Sequence, residues 1–353
     1  MMKQITAVIV YIMVILLLIP GVQAVGQYTL VKTWGSHGSG DLQFTDPWGV
    51  AVDPAGFLYV ADTRAFTNPG NWRVEKYTLD GNFVTRWGSQ GSGDGQFGLD
   101  FPKGVAVDPS GNVWVTDEGR IQKFDSQGNF LAAYGSWGNG NGQFENPQDI
   151  AVDSAGNIFV IDSTNDRVQK LDSNGNYLLQ WGGVGWDQAD GHFLFPEGIV
   201  VDKSGNVFVV DTYNHRIQKF DSAGKFLKKW GSFGSEVGQF NTPGHIAVDS
   251  AGNVYVLDRH NDRVQIFDTD GNFISSIDNL EQGQTIYPYP QGIDVDSQGN
   301  VYISDSGHYR ISKFSPSKGV PEFPSMVVPA VVLVGFIGIM ILSGSRRQVS
   351  VHG

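Results

Sequence analysis

The sequence contains no cysteine among its 353 residues. Disulfide bonds and thiolate metal sites are therefore excluded, and a large hydrophobic core has to stabilise the fold. The sequence also has no long block of positive charge, and its formal net charge is −12. Because nucleic-acid binding begins with a basic surface, we expect no DNA or RNA partner.

Glycine, by contrast, is abundant, with 46 residues, and much of it falls in one repeated pattern. Six segments contain an apolar run that ends in Val-Asp. Nine residues after that aspartate each copy has a second aspartate, and an arginine then opens another strand. The copies are 45 to 55 residues long. Self-similarity of this period indicates one structural unit per copy.

The second aspartate and the arginine of each copy are charged residues in apolar surroundings. A chemical site is not normally copied six times, and a buried charge without a partner is strongly unfavourable. We therefore interpret these residues as structural ion pairs, one in each unit. The six predicted pairs are Asp62–Arg73, Asp117–Arg120, Asp162–Arg167, Asp211–Arg216, Asp258–Arg263 and Asp305–Arg310.

Each copy also has the pattern of four short strands. In the fourth copy these are residues 198–201, 206–210, 216–220 and 225–230, and Asp202-Lys-Ser-Gly205 forms the first turn. Glycine accepts the positive φ that such turns require, and the aspartate side chain bonds the turn backbone. Four-stranded antiparallel units repeated at this spacing indicate the blades of a β-propeller.

The segment Asn214-His-Arg216-Ile-Gln-Lys-Phe220, together with the apolar runs ending in Val-Asp, resembles the NHL repeat family. The resemblance covers nearly all of the chain between the two termini. The sixth copy ends after its third strand, at Phe314, whereas the segment from Tyr28 to Trp34 matches an outer strand. We therefore predict an all-β fold, a six-bladed β-propeller over residues 27–316, in which the N-terminal strand completes the last blade.

The N-terminal residues 1–24 have the organisation of a secretory signal peptide. Lys3 precedes an apolar stretch over residues 5–19, and Val22-Gln23-Ala24 fits a signal-peptidase site. An uncleaved membrane anchor is the alternative interpretation, although the apolar stretch is short for a membrane span.

The C-terminal residues form three segments. They are a linker over 317–325 with the motif Pro321, Glu322 and Phe323, an apolar run over 326–342, and a basic end over 343–353. Seventeen helical residues span about 26 Å, close to the roughly 30 Å of bilayer hydrocarbon. This organisation resembles the PEF-CTERM sorting signal of archaeal surface proteins, which implies recognition by a sortase-like membrane enzyme. A permanent transmembrane anchor is the alternative, and both interpretations place the propeller at the extracellular face of the membrane or in the cell envelope.

Function is expected where the copies differ, which is in the loops into each first strand and in the loops before each arginine. Tracing the strand directions places both sets of loops on one face, around the mouth of the central channel. This face is rich in aromatic residues and histidines, so we predict a ligand-binding surface there. The predicted ligand-binding residues are Trp48, Lys103, Gln148, Glu197, His245, Gln291, Tyr213, His215, His260 and Tyr309.

The predicted function is that of an exported, surface-anchored module that binds proteins, peptides or envelope glycans, without a cofactor or catalytic residues. The alternative is a metal-assisted lyase or hydrolase at the channel mouth, since the chain also resembles the peptidylglycine amidating lyases in fold. That resemblance implies zinc-binding histidines in Pro-His pairs, and no Pro-His pair occurs in this sequence. Asp149, Glu197 and Asp294 near the axis leave calcium as a second metal hypothesis, without an acidic loop motif to support it.

The C-terminal motif generates a testable prediction. If a processing enzyme recognises Pro-Glu-Phe, the mature protein lacks residues 326–353, and we expect Glu322→Ala to retain them. Intact-mass measurement of both proteins from the native host checks this, with Lys318→Ala as a control in the same linker. An unmodified C-terminus on the wild-type protein would contradict sorting and leave the permanent anchor.

Overall fold

The structure, a computed structural model, describes residues 28–63, 70–98, 101–278, 280 and 290–317. Residues Gln27–Pro316 form one compact unit. The predicted signal peptide, sorting motif, apolar run and basic end all lie outside the described residues. Within those described ranges, no helix has the length and apolarity needed to cross a membrane.

The described residues contain 24 strands in six four-stranded antiparallel sheets, which are the blades of the propeller. Blades one to five each take four consecutive strands, from β2 to β21, and blade six takes β22–β24 and β1. The strands are β1 (Tyr28–Trp34), β2 (Pro47–Val52), β3 (Phe57–Asp62), β4 (Arg73–Thr78), β5 (Phe83–Trp87), β6 (Pro102–Val107), β7 (Val113–Asp117), β8 (Arg120–Phe124), β9 (Phe130–Tyr134), β10 (Pro147–Val152), β11 (Ile158–Asp162), β12 (Arg167–Leu171), β13 (Tyr177–Gly182), β14 (Gly198–Val201), β15 (Val207–Asp211), β16 (Arg216–Phe220), β17 (Phe226–Trp230), β18 (Ile246–Val248), β19 (Val254–Asp258), β20 (Arg263–Phe267), β21 (Phe273–Asp278), β22 (Pro290–Val295), β23 (Val301–Asp305) and β24 (Arg310–Pro316).

The burial of each strand follows from its place in the blade. The second strand of blade four, β15, is buried at all five positions, because neighbouring blades cover both of its faces. The outer strand of blade two, β9, alternates between half-buried and exposed residues, as a strand with one solvated face does. The predicted second and fourth strands of the fourth copy each began one residue early. Asn206 belongs to the preceding turn instead, since its side-chain amide donates to Asp202 at 2.7 Å.

Aromatic side chains at the ends of outer strands pack neighbouring blades together. Trp181 contacts Phe159 of its own blade and Phe220 of the next, with ring centroids 6.2 and 5.7 Å apart. Gly224, in the turn before the next outer strand, has a φ of +77°, and a Cβ there would lie 2.7 Å from the indole. Glycine is therefore required at this turn both for its backbone conformation and for the close approach of Trp181.

A lysine on the third strand of most blades makes a second contact between blades. Lys219 lies over the ring of Phe208, with its Nζ 5.3 Å from the centroid, and donates to the carbonyl oxygen of Thr269 in the next blade at 2.9 Å. The equivalent bond from Lys313 of blade six reaches Leu79 of blade one at 3.1 Å. The last blade is therefore joined to the first by the same contact that joins blades within the chain.

Blade six contains strands from both ends of the propeller sequence. Strand β1 pairs antiparallel with β24, from Tyr28 opposite Pro316 to Trp34 opposite Ile311. The Tyr28 hydroxyl also forms a 2.9 Å hydrogen bond with Tyr255 of blade five. The predicted six-bladed propeller and its closure by the N-terminal strand are confirmed.

This closure can be tested by deleting residues 28–34. We expect the deletion variant to aggregate or to melt far below the wild type, because the unpaired edge of β24 is a template for association. Circular dichroism melts and size-exclusion chromatography measure the effect. As a control, Leu30→Ser combined with Val31→Ser changes only exposed side chains of β1. It should stay within about 0.5 kcal/mol of the wild type. Unchanged stability of the deletion variant would contradict closure by β1.

Candidate functional site

The two faces of the propeller differ in the connections they carry. Each first strand begins, and each second strand ends, at the face that carries the loops before the arginines, and we call this the loop face. The tight Asp-x-x-Gly turns lie on the opposite face. Strand β24 begins at Arg310 on the loop face, so the chain leaves the propeller at Pro316 on the opposite face.

Under the loop face, each blade has a buried polar cluster around the predicted ion pair. In blade four, Arg216 Nε donates to Asp211 Oδ2 at 2.6 Å, and both residues are buried. The carboxylate also accepts hydrogen bonds from the backbone N–H of Leu194 and from the side chains of Asn214 and Gln218. The aspartate therefore has partners from the third strand, from the adjoining turn and from the loop that enters the blade.

The guanidinium of the same pair holds that incoming loop. Arg216 donates to the carbonyl oxygens of Gln188, Ala189 and His192 at 2.6 to 3.0 Å. Gln218 donates to the His192 carbonyl as well, at 2.7 Å. Since these bonds are charge-assisted or at least partly buried, the loop from 188 to 192 is fixed to the blade.

The other predicted pairs also form contacts within their own blades. Arg120, Arg167, Arg263 and Arg310 each donate through Nε to the aspartate of their blade. The nitrogen–oxygen distances are 3.3 Å for Asp62–Arg73, 2.9 Å for Asp117–Arg120, 2.7 Å for Asp162–Arg167, 2.8 Å for Asp258–Arg263 and 2.7 Å for Asp305–Arg310. The longest distance belongs to blade one.

Blade one differs because Glu75 occupies the position of Gln218. Arg73 is drawn towards it, with Nη2 2.9 Å from the Glu75 carboxylate. Tyr77 replaces the Phe220 of blade four, and its hydroxyl donates to Glu75 at 2.6 Å. Burial raises the pKa of Glu75 to about 7, an effect that Arg73 and Tyr77 only partly offset. The added carboxyl is therefore accommodated by a change two residues further along the strand.

The channel mouth is surrounded by the residues that follow the loop prolines. In blades two and three, buried polar side chains at the mouth form hydrogen bonds within the protein. Lys103 is buried and donates to the side chain of Asn146. Asp149 accepts hydrogen bonds from the backbone N–H groups of Ile150 and Ile199, at 2.9 and 3.0 Å. The predicted ligand-binding residue Lys103 thus serves the mouth structure rather than the exposed loop surface.

The remainder of the mouth, from blade four through blades five and six to blade one, contains buried polar atoms that have no hydrogen-bond partner among the described residues. We call these residues the polar arc. Its unpartnered atoms are Thr212 Oγ1, His245 Nδ1 and Nε2, Arg259 Nε, Gln291 Oε1 and Trp48 Nε1. The backbone of Gln291 lies close to the His245 ring, outside hydrogen-bonding geometry.

Blade five departs from the other copies at the polar arc. His245 stands where four blades have glycine, Arg259 stands where four blades have serine or threonine, and Gly244 stands where every other blade has a side chain. The changes are coupled, since a Cβ at Gly244 would lie 2.4 Å from Arg259 Nη2. In that space Arg259 forms an ion pair with Glu197 of blade four.

Below the mouth, the channel contains a cavity of about 160 Å³ lined by valine, isoleucine and alanine side chains with Asp149, His245 and Asp294. Desolvation raises the pKa of Asp149 to about 8 and that of Asp294 to about 6. Desolvation, reinforced by Arg259, lowers the pKa of His245 to about 3. At neutral pH Asp149 is therefore mostly protonated and His245 is neutral.

The positions of the acidic and histidine side chains at the mouth can be compared with the two metal sites suggested by the sequence, one for a metal-assisted enzyme and one for calcium. In the parts of the chain that the structure describes, no group of three or more His, Asp or Glu side chains is placed to hold a metal ion. Glu197, one of the three carboxylates in the calcium hypothesis, is paired with Arg259 at the mouth. The other two carboxylates, Asp149 and Asp294, accept backbone hydrogen bonds from neighbouring strands.

Exposed aromatic side chains gather on the loop face around blade four. Trp186 is 75% exposed and Phe233 66% exposed. Phe195 and Tyr213, also exposed, have ring centroids 5.6 Å apart, and the ring of His215 lies 5.0 Å from that of Phe233. We call these five residues the aromatic sector.

The structure brings some of the predicted ligand-binding residues together and separates others. Glu197, Tyr213, His215, His245 and His260 all belong to blades four and five, although His245 is buried beneath the loop surface. Trp48 and Gln291 continue the polar arc, whereas Gln148 belongs to blade three. Tyr309 lies elsewhere, with its ring 4.6 Å from that of His37. The sequence-based prediction missed Arg259, which the serine or threonine of the other copies could have revealed.

The NHL repeat family matches six segments of the chain, at residues 44–67, 99–124, 144–171, 193–220, 240–267 and 287–314. The protein is an NHL-repeat β-propeller. Five of the six matched segments end in the third strand of a blade, and the first ends at residue 67, before β4; the outer strands all lie outside the matches.

The chain is similar in sequence to one curated protein and similar in fold to several solved structures. Protein lin-41 of Caenorhabditis elegans is 39% identical over 56 residues, which are 16% of this chain and 4% of that protein. A streptogramin B lyase structure matches with a TM-score of 0.56 and 15% identity, over 83% of this chain and 99% of that one. A structure of unknown function from Bacteroides thetaiotaomicron matches with a TM-score of 0.59 and 18% identity, over 82% and 75%. At these identities the structural matches show the fold alone.

The carboxyl of Glu75 makes the stability of the propeller depend on pH. Its pKa in the folded state is about 7, above the ordinary 4.5, because burial favours the protonated carboxyl. The free energy of unfolding is therefore highest below pH 4.5 and falls as the pH rises to 7. We therefore expect Glu75→Gln to unfold with a free energy about 3 kcal/mol higher than the wild type at pH 8, and with no difference at pH 4. Urea denaturation at both pH values measures this.

The matched control makes the opposite substitution, glutamine to glutamate, at the equivalent position of blade two. Gln122→Glu adds a carboxyl beside Phe124, which has no hydroxyl to donate. This variant should lose stability at pH 8 and recover it on acidification. Equal stability differences at pH 4 and pH 8 would contradict a raised pKa for Glu75.

Proposed function

We propose that this protein is an exported binding or scaffolding module, anchored to the cell surface through its C-terminal segment, which holds a protein, peptide or envelope glycan on its loop face. The observation that carries the proposal is the aromatic sector. Several large apolar rings project from one part of one face. Exposed patches of this kind mark interaction sites, because water exclusion from such rings favours association.

The loops that display the aromatic sector are held rigidly, which supports a binding role. Phe195 follows the loop that Arg216 fixes through the carbonyls of Gln188, Ala189 and His192. Its own backbone N–H donates to the Asp166 side chain at 2.7 Å. A surface ordered before binding loses less conformational entropy when a ligand arrives.

The alternative, a metal-assisted lyase or hydrolase at the channel mouth, has no specific observation in its favour. The lyase structures match in fold at identities too low to carry over an activity. At the mouth, Glu197 and Arg259 neutralise each other as an ion pair. The binding function is therefore the one that the loop face supports best.

Sedimentation of the purified protein with envelope preparations of the native host tests the proposal. We expect the triple variant Phe195→Ser, Tyr213→Ser, Phe233→Ser to bind at least about tenfold more weakly, since each ring contributes several tenths of a kcal/mol or more. The matched control, Leu131→Ser, Leu178→Ser, Leu227→Ser, removes three exposed apolar residues from outer strands. Equal binding by the wild type and both variants would contradict the proposal.

A further inference from the structure

The polar arc concentrates an unusual number of unpartnered polar atoms in one place. A buried donor or acceptor without a partner costs about 1–3 kcal/mol, and native structures contain few of them. Here five residues of the mouth carry such atoms, whereas Lys103, Thr116 and Asp149 on the facing part of the mouth all have partners. The two parts share one backbone design, so the difference arises from the side chains.

The arc contains both donors and acceptors, which restricts its ligand. Trp48 Nε1 and Arg259 Nε can only donate, and Gln291 Oε1 can only accept. A neutral His245 offers one donor and one acceptor. An anion would satisfy only the donors, and a cation only the acceptors. Hydroxyl groups satisfy both kinds, because each one donates and accepts.

The surroundings of the arc favour adjacent hydroxyl groups on a ring. The ion pair of Glu197 and Arg259 fixes an acceptor beside a donor at the mouth, which matches two neighbouring hydroxyls. Two members of the aromatic sector adjoin the arc in sequence, since Phe195 lies two residues before Glu197 and Tyr213 directly follows Thr212. An aromatic ring face packs well against the apolar C–H face of a pyranose.

We propose that the polar arc is a binding site for one neutral pyranose residue of a glycan, with its hydroxyls on Arg259, His245, Gln291 and Glu197 and its apolar face on the aromatic sector. The inference rests on the proposed binding function and names the ligand class. A peptide is disfavoured, since its alternating N–H and C=O groups match a strand edge, whereas the arc presents side-chain atoms around the channel mouth.

The repeat itself supplies variants that should fold. His245→Gly restores the residue that four other blades have at this position. Arg259→Thr restores the residue that two other blades have at its position. The matched control is Ser163→Thr, at the position of Arg259 but in blade three, outside the arc. Thermal melts establish that each variant is folded, and Gln291→Met provides a third arc variant if either of the others is unstable.

Saturation-transfer difference NMR on the purified full-length chain tests the site with glucose, galactose, mannose and N-acetylglucosamine, and with acetyl-triglycine amide as a peptide probe. We expect at least one sugar to bind. The arc variants should weaken that binding at least tenfold, and Ser163→Thr should leave it unchanged.

Four outcomes would overturn the inference. They are that no sugar binds, that the arc variants bind sugar as the wild type does, that the peptide probe binds instead of the sugars, or that a stoichiometric metal occupies the arc. Sedimentation with envelope preparations separates these failures from failure of the proposed function. If the envelope still captures the protein while the sugars do not bind, only the pyranose site is wrong.

Discussion

The constraint on which the loop face depends is the burial of one carboxylate in every blade. A buried carboxylate is tolerated only when its oxygens are fully partnered. In blade four the partners of Asp211 come from the third strand, the adjoining turn and the incoming loop. Satisfying one charge therefore fixes three chain segments at once. Because Arg216 then binds three carbonyls of that loop, the surface above it is rigid without any disulfide bond.

The six copies provide an internal reference against which each departure can be judged. In blade one, Glu75 introduces a carboxyl, and Tyr77 and Arg73 contact it within the same blade. Arg73 Nε and Glu75 Oε1 still lack a hydrogen-bond partner among the described residues, and both residues are buried inside that one blade. In blade five, the unpartnered atoms belong to Arg259 and His245 at the channel mouth, and those of Gln291 and Trp48 lie on the same arc. Unpartnered atoms that several blades contribute to the mouth indicate a ligand, whereas those enclosed within a single blade indicate structural compensation.

The propeller could be predicted from the sequence because its period, its turns and its closing strand are all local patterns. The Asp–Arg positions were also visible, since they recur at the same place in every copy. The polar arc was not, because the partner of a polar atom depends on which side chains meet across blades. Lys103 and Gln291 occupy equivalent positions, yet only Lys103 finds an Asn146 within reach. The export and sorting predictions concern residues that lie outside the described propeller.

The channel below the mouth adds a reason why a neutral ligand suits this protein. The chain has a net charge of −12, yet Asp149, a carboxyl that lines the channel, is mostly protonated at neutral pH because desolvation raises its pKa. Each unpartnered atom of the arc needs a hydrogen bond, which water or a ligand hydroxyl can supply. A pyranose at the proposed site would supply these bonds with its own hydroxyls and would add contact with an aromatic ring, which favours its binding over that of water.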